Sequence, residues 1–216
     1  MLEKYDPKKH RSKLEVTPFK VLDDGSIEFE LTYKEQPYNV IVDKEDWDRI
    51  LENNRVQMVK LSKDSKSAYI KIPDKSKPKR TRSRARASFL HRWILGEENI
   101  PEGLQIDHIN GNPLDNRKEN LRVCTMMQNM MNRRSHNPYS RYNGVCYNNG
   151  KKRRVSTGSY RCISRPWRAT ITLEEGKGKV NLGTFATEEE AARAWDKVAY
   201  EHFGEFAQLN FPNFPQ

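Results

Sequence analysis

The sequence predicts a multi-domain α+β protein: a small N-terminal α+β unit, a polar strand-turn-helix centre, and a three-stranded antiparallel sheet packed on one helix. Short runs of alternating polar and apolar residues separated by turn signals mark half-buried strands. Helical spacing is confined to a few segments. Mean hydropathy is −0.96, and 35% of the 216 residues are apolar. That composition suits several small units with thin cores, because small domains bury a smaller fraction of their surface.

The N-terminal unit is expected over residues 1–74. Ser26 to Tyr33 alternates polar and apolar after the turn Asp23-Asp24-Gly25, and Tyr38 to Val42 is a second apolar run. Asp43-Lys44-Glu45-Asp46 opens a short helix carrying Trp47, Ile50 and Leu51 at helical spacing. Val56–Leu61 and Ala68–Ile72 read as further strands. No catalytic spacing is visible here, and the acidic residues read as a solvated face. Residues 75–88 form a basic linker, with seven Lys or Arg and no acid between Lys75 and Arg86. Such a tract repels itself and stays extended until it meets an anion.

Charge is divided unevenly along the chain. Residues 1–74 hold 14 basic and 15 acidic side chains, and residues 75–216 hold 25 and 14, so the positive excess lies entirely in the second part. A basic excess of this size points to a nucleic acid or another anionic partner. Cys124, Cys146 and Cys162 form no CxxC pair. They argue against a disulfide scaffold and a four-thiolate zinc site, and read as small packing residues in a reducing compartment. No apolar run approaches the ~18–20 residues that cross a bilayer. The opening MLEKYDPKKH has no apolar h-region, so neither a membrane partner nor a secretory leader is expected.

The chemically informative stretch is residues 89–137. Leu104 to Asn112 reads as a short strand ending in Asp107-His108, then a turn through Asn110-Gly111-Asn112. A polar cluster from Asp115 to Val123 follows. Thr125 and Gln128 fit a capping box, so a helix starts there. On that helix Asn129, Asn132, Arg133 and His136 share one face by spacing, leaving Met126, Met127, Met130 and Met131 to bury elsewhere. Asp107 and the Asn129 amide are hard oxygen donors of the kind that suit one Mg²⁺ or Mn²⁺. His108 is the side chain best suited to take a proton from water near neutral pH, with an Asn of the intervening loop orienting its ring. Together these residues suggest one-metal phosphodiester hydrolysis. His91 reads equally as a packing residue or a substrate contact.

Asp107-His108, an Asn twelve residues after the His and another nine further on resemble the HNH (ββα-metal) nucleases of phage and intron homing endonucleases. Leu90 to Gly96 and Ile106 to Asn112 match that family's wording as well. The resemblance implies a ββα-metal core in which Asp107 and Asn129 hold the cation, His108 is the general base and Asn120 supports the histidine and its loop. It implies 5′-phosphate and 3′-hydroxyl ends on cleaved DNA. It further implies a phage- or intron-encoded protein in the cytoplasm of a bacterial host. Paired cysteines for a structural zinc, present in some relatives, are lacking.

Residues 138–216 form the last expected domain. Tyr142 to Val145, Trp167 to Thr172 and Lys179 to Phe185 read as strands. Thr187 and Glu190 fit a capping box for a helix over Glu188–Phe203, with Ala191, Ala194, Trp195, Val198 and Ala199 on one face. Tyr-x-Gly-Val at 142–145, Leu182 to Phe185, Glu189 to Asp196 and Leu209 to Pro212 are similar to the AP2/ERF-type DNA-binding domain, which lays an open sheet face into the major groove. By alternation, Arg168, Thr170 and Thr172 on one strand and Lys179 and Asn181 on the next point outward. Arg forks to guanine, Thr touches a thymine methyl and Lys holds phosphate. Cys146 and Asn181 replace residues frequent in plant members, so the family's base code does not transfer. Arg153 and Arg154 lie in a basic hairpin over 148–165, and with Arg133 they are candidate phosphate contacts. The expected partner is double-stranded DNA, bound by a monomer. A binding-only regulator with an inactive nuclease fold, and a nuclease for structured RNA, are the alternatives.

Overall fold

The computed structural model describes residues 18–33, 36–53, 56–60, 68–73, 87–133, 139–147, 153–154, 160–161 and 166–212. The basic linker over 75–86, His136 and Cys162 lie outside them. The chain divides into two compact units, 1–124 and 125–216.

In the first unit, β1 (Phe19–Val21), β2 (Ile27–Tyr33) and β3 (Gln36–Val42) form an antiparallel sheet in chain order. Helix α1 (Lys44–Asn53) follows, then a second sheet of β4 (Gln57–Lys60), β5 (Ala68–Pro73) and β6 (Ala87–Phe89). Helix α2 (Leu90–Leu95) leads to the hairpin of β7 (Gln105–His108) and β8 (Leu121–Cys124). The alternation read from the sequence sorts the faces: Ile27, Phe29 and Leu31 of β2 and Ala68, Ile70 and Ile72 of β5 are all buried. Trp47 and Ile50 of α1 pack into the same core, as do Leu90 and Ile94 of α2 and Ile106 and Leu121 of the hairpin. A single apolar cluster thus runs from β2 to β8, which fixes the hairpin to the N-terminal sheets.

The second unit opens with α3 (Met126–Met131), capped by Thr125, whose hydroxyl accepts from the Gln128 backbone while the Gln128 side chain accepts from Thr125 N. β9 (Val145–Tyr147), β12 (Trp167–Ile171) and β13 (Val180–Phe185) form an antiparallel sheet with β12 central. Between them β10 (Arg153–Arg154) and β11 (Tyr160–Arg161) make a two-stranded ladder. Helix α4 (Glu188–Phe203) carries the capping box at Thr187 and Glu190 that its sequence predicts. Its Ala191, Ala192, Trp195, Ala199 and Phe203 bury against Val145, Ala169 and Ile171, the small alanines allowing close approach to the sheet. Met127 and Met131 of α3 join this cluster, whereas Met126 and Met130 stay exposed.

Two polar devices close the second unit. The buried Asp196 carboxylate accepts from the backbone N–H and side-chain amide of Asn210 and from the Phe211 N–H, each at 2.9 Å. Asn210 in turn accepts from Asn143 N at 2.6 Å. These bonds tie the segment after α4 to the start of the sheet. Gly144 holds φ +70°, and a Cβ there would lie 1.9 Å from Trp195 Cδ1. Strain and overlap with a buried ring act together. Gly144→Ala is therefore expected to lower stability by about 4 kcal/mol or more, read as loss of the native Trp fluorescence and near-UV CD of this unit.

Candidate active site

β7 and β8 pair Asp107 with Arg122 and His108 with Leu121. Asp107 and His108 are both buried. Arg122 Nε and Nη2 donate to Asp107 Oδ2 at 3.0 and 2.9 Å. The His108 ring sits among aromatic groups, edge-on to His91 with centroids 5.2 Å apart and 6.3 Å from Tyr69. His91 is stacked on Phe89 at 5.6 Å, so it packs behind His108. Burial, with the charges of His108 and Arg92, pushes the His91 imidazole down to about 3. Burial also lowers His108 below its ordinary value, against the opposing pull of Asn116, Asp107 and Asp115. Both rings are therefore neutral at physiological pH.

The loop from Ile109 to Asn120 is held by side-chain as well as backbone partners. Gly111 N donates to His108 O at 2.8 Å, with Gly111 at φ +71°. Asn120 Oδ1 accepts from Asn110 N at 3.0 Å, and Asn120 Nδ2 donates to Asn110 Oδ1 and Asp115 O at 3.1 and 2.8 Å. Asn120 braces the loop, whereas the amide facing the histidine is that of Asn116, whose Oδ1 lies 3.4 Å from His108 Nε2. Asn116 Nδ2 donates to Pro113 O at 3.3 Å, which turns Oδ1 toward the ring. The family resemblance implies Asn120 as the support of the histidine, and composition alone does not single out Asn116 among Asn110, Asn112, Asn116 and Asn120.

Most of the N-terminal acids are exposed, as expected, but several of them also pair with the loop. Asp24 Oδ2 accepts from Arg117 at 2.7 Å, Asp43 Oδ2 accepts from Lys118 N at 2.8 Å, and Glu45 pairs with Lys118 Nζ. Asp46 is fully buried, 2.6 Å from Arg49 and 3.5 Å from Lys118 Nζ. Arg117 also donates from Nε and Nη2 to the two Asp115 oxygens at 2.9 and 2.8 Å. Ile41 bridges Asp115 in parallel, with Ile41 N donating to Leu114 O and Asn116 N to Ile41 O. Arg117 and Lys118 gather these N-terminal acids at the root of the loop, where only Asp46 among them is buried. None of these long-range pairs has a local sequence signature.

In the second unit, Asn129 is half-buried on α3. The helix ends at Met131 and Asn132 is its C-cap, so Asn129, Asn132 and Arg133 do not form a continuous helical face; Arg133 is exposed in the bend that follows, and His136 lies outside the described residues. On the sheet, Arg168 is exposed and Thr170 half-exposed, while Ala169 and Ile171 face α4. A register shift places Thr170 opposite Asn181 and Arg168 opposite both Thr184 and Cys146. Opposed residues share a face, so Thr184 joins the outer row, a member strict alternation misses. Thr172 and Lys179 lie just beyond the ends of β12 and β13, not within them. Arg153 and Arg154 are placed by their backbone ladder to Arg161 and Tyr160.

Residues 88–131 match the family model of the HNH endonucleases. The chain carries an HNH endonuclease domain. It is 33% identical over 128 residues, 58% of each chain, to an uncharacterized HNH endonuclease, L560, of Acanthamoeba polyphaga mimivirus. It is also 33% identical over 82 residues to protein 3.8 of Escherichia phage T7, covering 38% of this chain and 58% of the relative. The chain thus spans about 58% of the length of these curated relatives. No solved structure matches it. Among the described residues no helix is long and apolar enough to cross a membrane, and no three His, Cys, Asp or Glu side chains are grouped to hold a metal ion.

Burial pushes the Asp115 carboxyl up, but the bonds and charge of Arg117 and the Asn110 amide outweigh it and hold it below its usual value. A depressed carboxyl contributes stability above its unfolded pKa of about 3.9 and loses it as pH falls through the folded value. Arg117→Ala is expected to destabilise the protein by about 3 kcal/mol at pH 7. The gap from the parent protein should narrow below about pH 4, as read by urea unfolding over a pH series.

Proposed function

We propose that the protein is a site-directed, homing-type endonuclease that hydrolyses the backbone of double-stranded DNA. The observation that carries this reading is the neutral His108 imidazole beside the Asp107 carboxylate, at the end of a hairpin whose loop is locked by Asn120, Asp115 and Arg117. Asn116 Oδ1 faces Nε2, which puts the ring proton on Nε2 and leaves Nδ1 as the accepting nitrogen. His108 Nδ1 takes a proton from water as the water oxygen bonds to phosphorus. The P–O3′ bond breaks, leaving a 5′-phosphate and a 3′-hydroxyl whose proton comes from solvent. The buried Asp107 is the hard oxygen donor that a small dication selects, and Asn129 is the amide proposed to complete the pair. One bound Mg²⁺ or Mn²⁺ would neutralise charge on the phosphate and the leaving oxygen.

The second unit is the proposed reader, an AP2/ERF-like sheet on α4. Its outer row of Arg168, Thr170, Asn181 and Thr184 offers one fork, two hydroxyls and an amide, a mixture suited to base edges in a major groove. Lys179 and Thr172 at the strand ends, Arg133, and Arg153 and Arg154 of the β10–β11 ladder are assigned to phosphate contacts, with the protein bound as a monomer in the bacterial cytoplasm. The net charge of +10 supplies salt-sensitive affinity that needs no sequence match.

His108→Ala is expected to reduce cleavage of duplex DNA by at least about a hundredfold while leaving affinity nearly unchanged, because the base acts on water. The assay is nicking of a supercoiled plasmid with Mg²⁺, Mn²⁺ or EDTA, set beside a gel-shift titration; full cleavage by the variant, or cleavage of RNA alone, would remove the reading. Arg168→Ala should cost about 1–3 kcal/mol on the preferred site and much less on random DNA. Equal loss on both would reassign Arg168 to the phosphates.

A further inference from the structure

Arg122 has no part in the reaction described so far, yet its guanidinium lies against the residue central to it. Both Nε and Nη2 of Arg122 reach the same oxygen, Asp107 Oδ2, and the two side chains keep only 12% and 6% of their exposure. A buried ion pair is poor evidence of a stabilising role, since an apolar pair of similar volume is often as good. The cation opposite Asp107 therefore calls for a functional account. A carboxylate that serves as a cation ligand needs a positive partner while no cation is bound, and Arg122 supplies it across the ladder. The planar fork of a guanidinium fits a phosphate as well as a carboxylate.

We propose that Arg122 is the exchange partner of this centre. It neutralises Asp107 in the free protein, yields Oδ2 to the divalent cation, and passes its N–H donors to a non-bridging oxygen of the phosphate being cut. No covalent bond changes in the exchange. The carboxylate keeps a positive partner throughout, and the phosphate gains one as the DNA docks. The proposal rests on the reading of Asp107 as a metal ligand.

The test is Mn²⁺ titration by calorimetry on the full chain without DNA, beside single-turnover cleavage of duplex DNA. Arg122→Met is expected to bind Mn²⁺ about tenfold more tightly than the parent, since the competing guanidinium is gone, yet to cleave about a hundredfold more slowly. Damage to the fold alone would not tighten metal binding. Unchanged or weaker Mn²⁺ binding in Arg122→Met, with the site abolished in Asp107→Asn, overturns the exchange and leaves the metal reading intact. Undiminished Mn²⁺ binding in Asp107→Asn overturns the metal reading, and the exchange with it. Should Arg122→Met fail to give a cooperative melt, Arg122→Lys carries the same test. Its point charge without a fork should bind Mn²⁺ several-fold more tightly and cleave about tenfold more slowly, and parental values for both would overturn the exchange.

Discussion

His108 keeps one orientation only while the polar loop between β7 and β8 holds still, and that loop is tied by side-chain as well as backbone partners. Buried backbone groups must find partners. Here side-chain amides and carboxylates supply part of them: Asn110, Asn112, Asn120 and Asp115 each accept from a loop N–H. Ile109, Gly111, Asp115 and Asn120 donate their N–H groups to backbone carbonyls of the hairpin and its loop, the N-terminal sheet adds Ile41, and acids of that part anchor Arg117 and Lys118. The first hundred or so residues thus act as a mould for the loop, and the shared apolar cluster from Ile27 to Leu121 is the physical form of that dependence.

Burial and hydrogen bonding pull the histidine in opposite directions. The rings of Tyr69 and His91, with Phe89 stacked on His91, remove water from one side of His108, disfavouring the imidazolium. Asn116 and the nearby carboxylates favour charge from the other side. Burial prevails, leaving a neutral imidazole beside groups that would favour a positive charge on it. The same rings make His91 a packing residue of the first unit, with its imidazole buried in the aromatic cluster.

Much of this was legible in the chain, and the limits follow from range. Alternation in β2 and β5, the helical spacing of α1 and the capping boxes at Thr125 and Thr187 are local patterns, and each maps directly onto the structure. The Asp107-His108 pair with Asn120 is legible through its resemblance to the HNH pattern. What local reading missed depends on partners far away in sequence: Arg117 with Asp24, Lys118 with Glu45, Arg122 with Asp107 across the ladder. α3 was read too long because its polar residues continue in helical register past Met131, while Asn132 already caps it. Four loop asparagines differ in role only through geometry that composition does not encode.

The register shift in β13 has a consequence of its own. Between Asn181 and Gly183 the strand holds one residue more than its partner, and Leu182 uses that extra place to join the apolar cluster. The added residue brings Asn181 and Thr184 to the same surface although they are an odd number of places apart. Exchanging one side chain there would alter a single contact. Removing one residue would turn a whole row inward, so this surface can diversify through changes of identity but not of length.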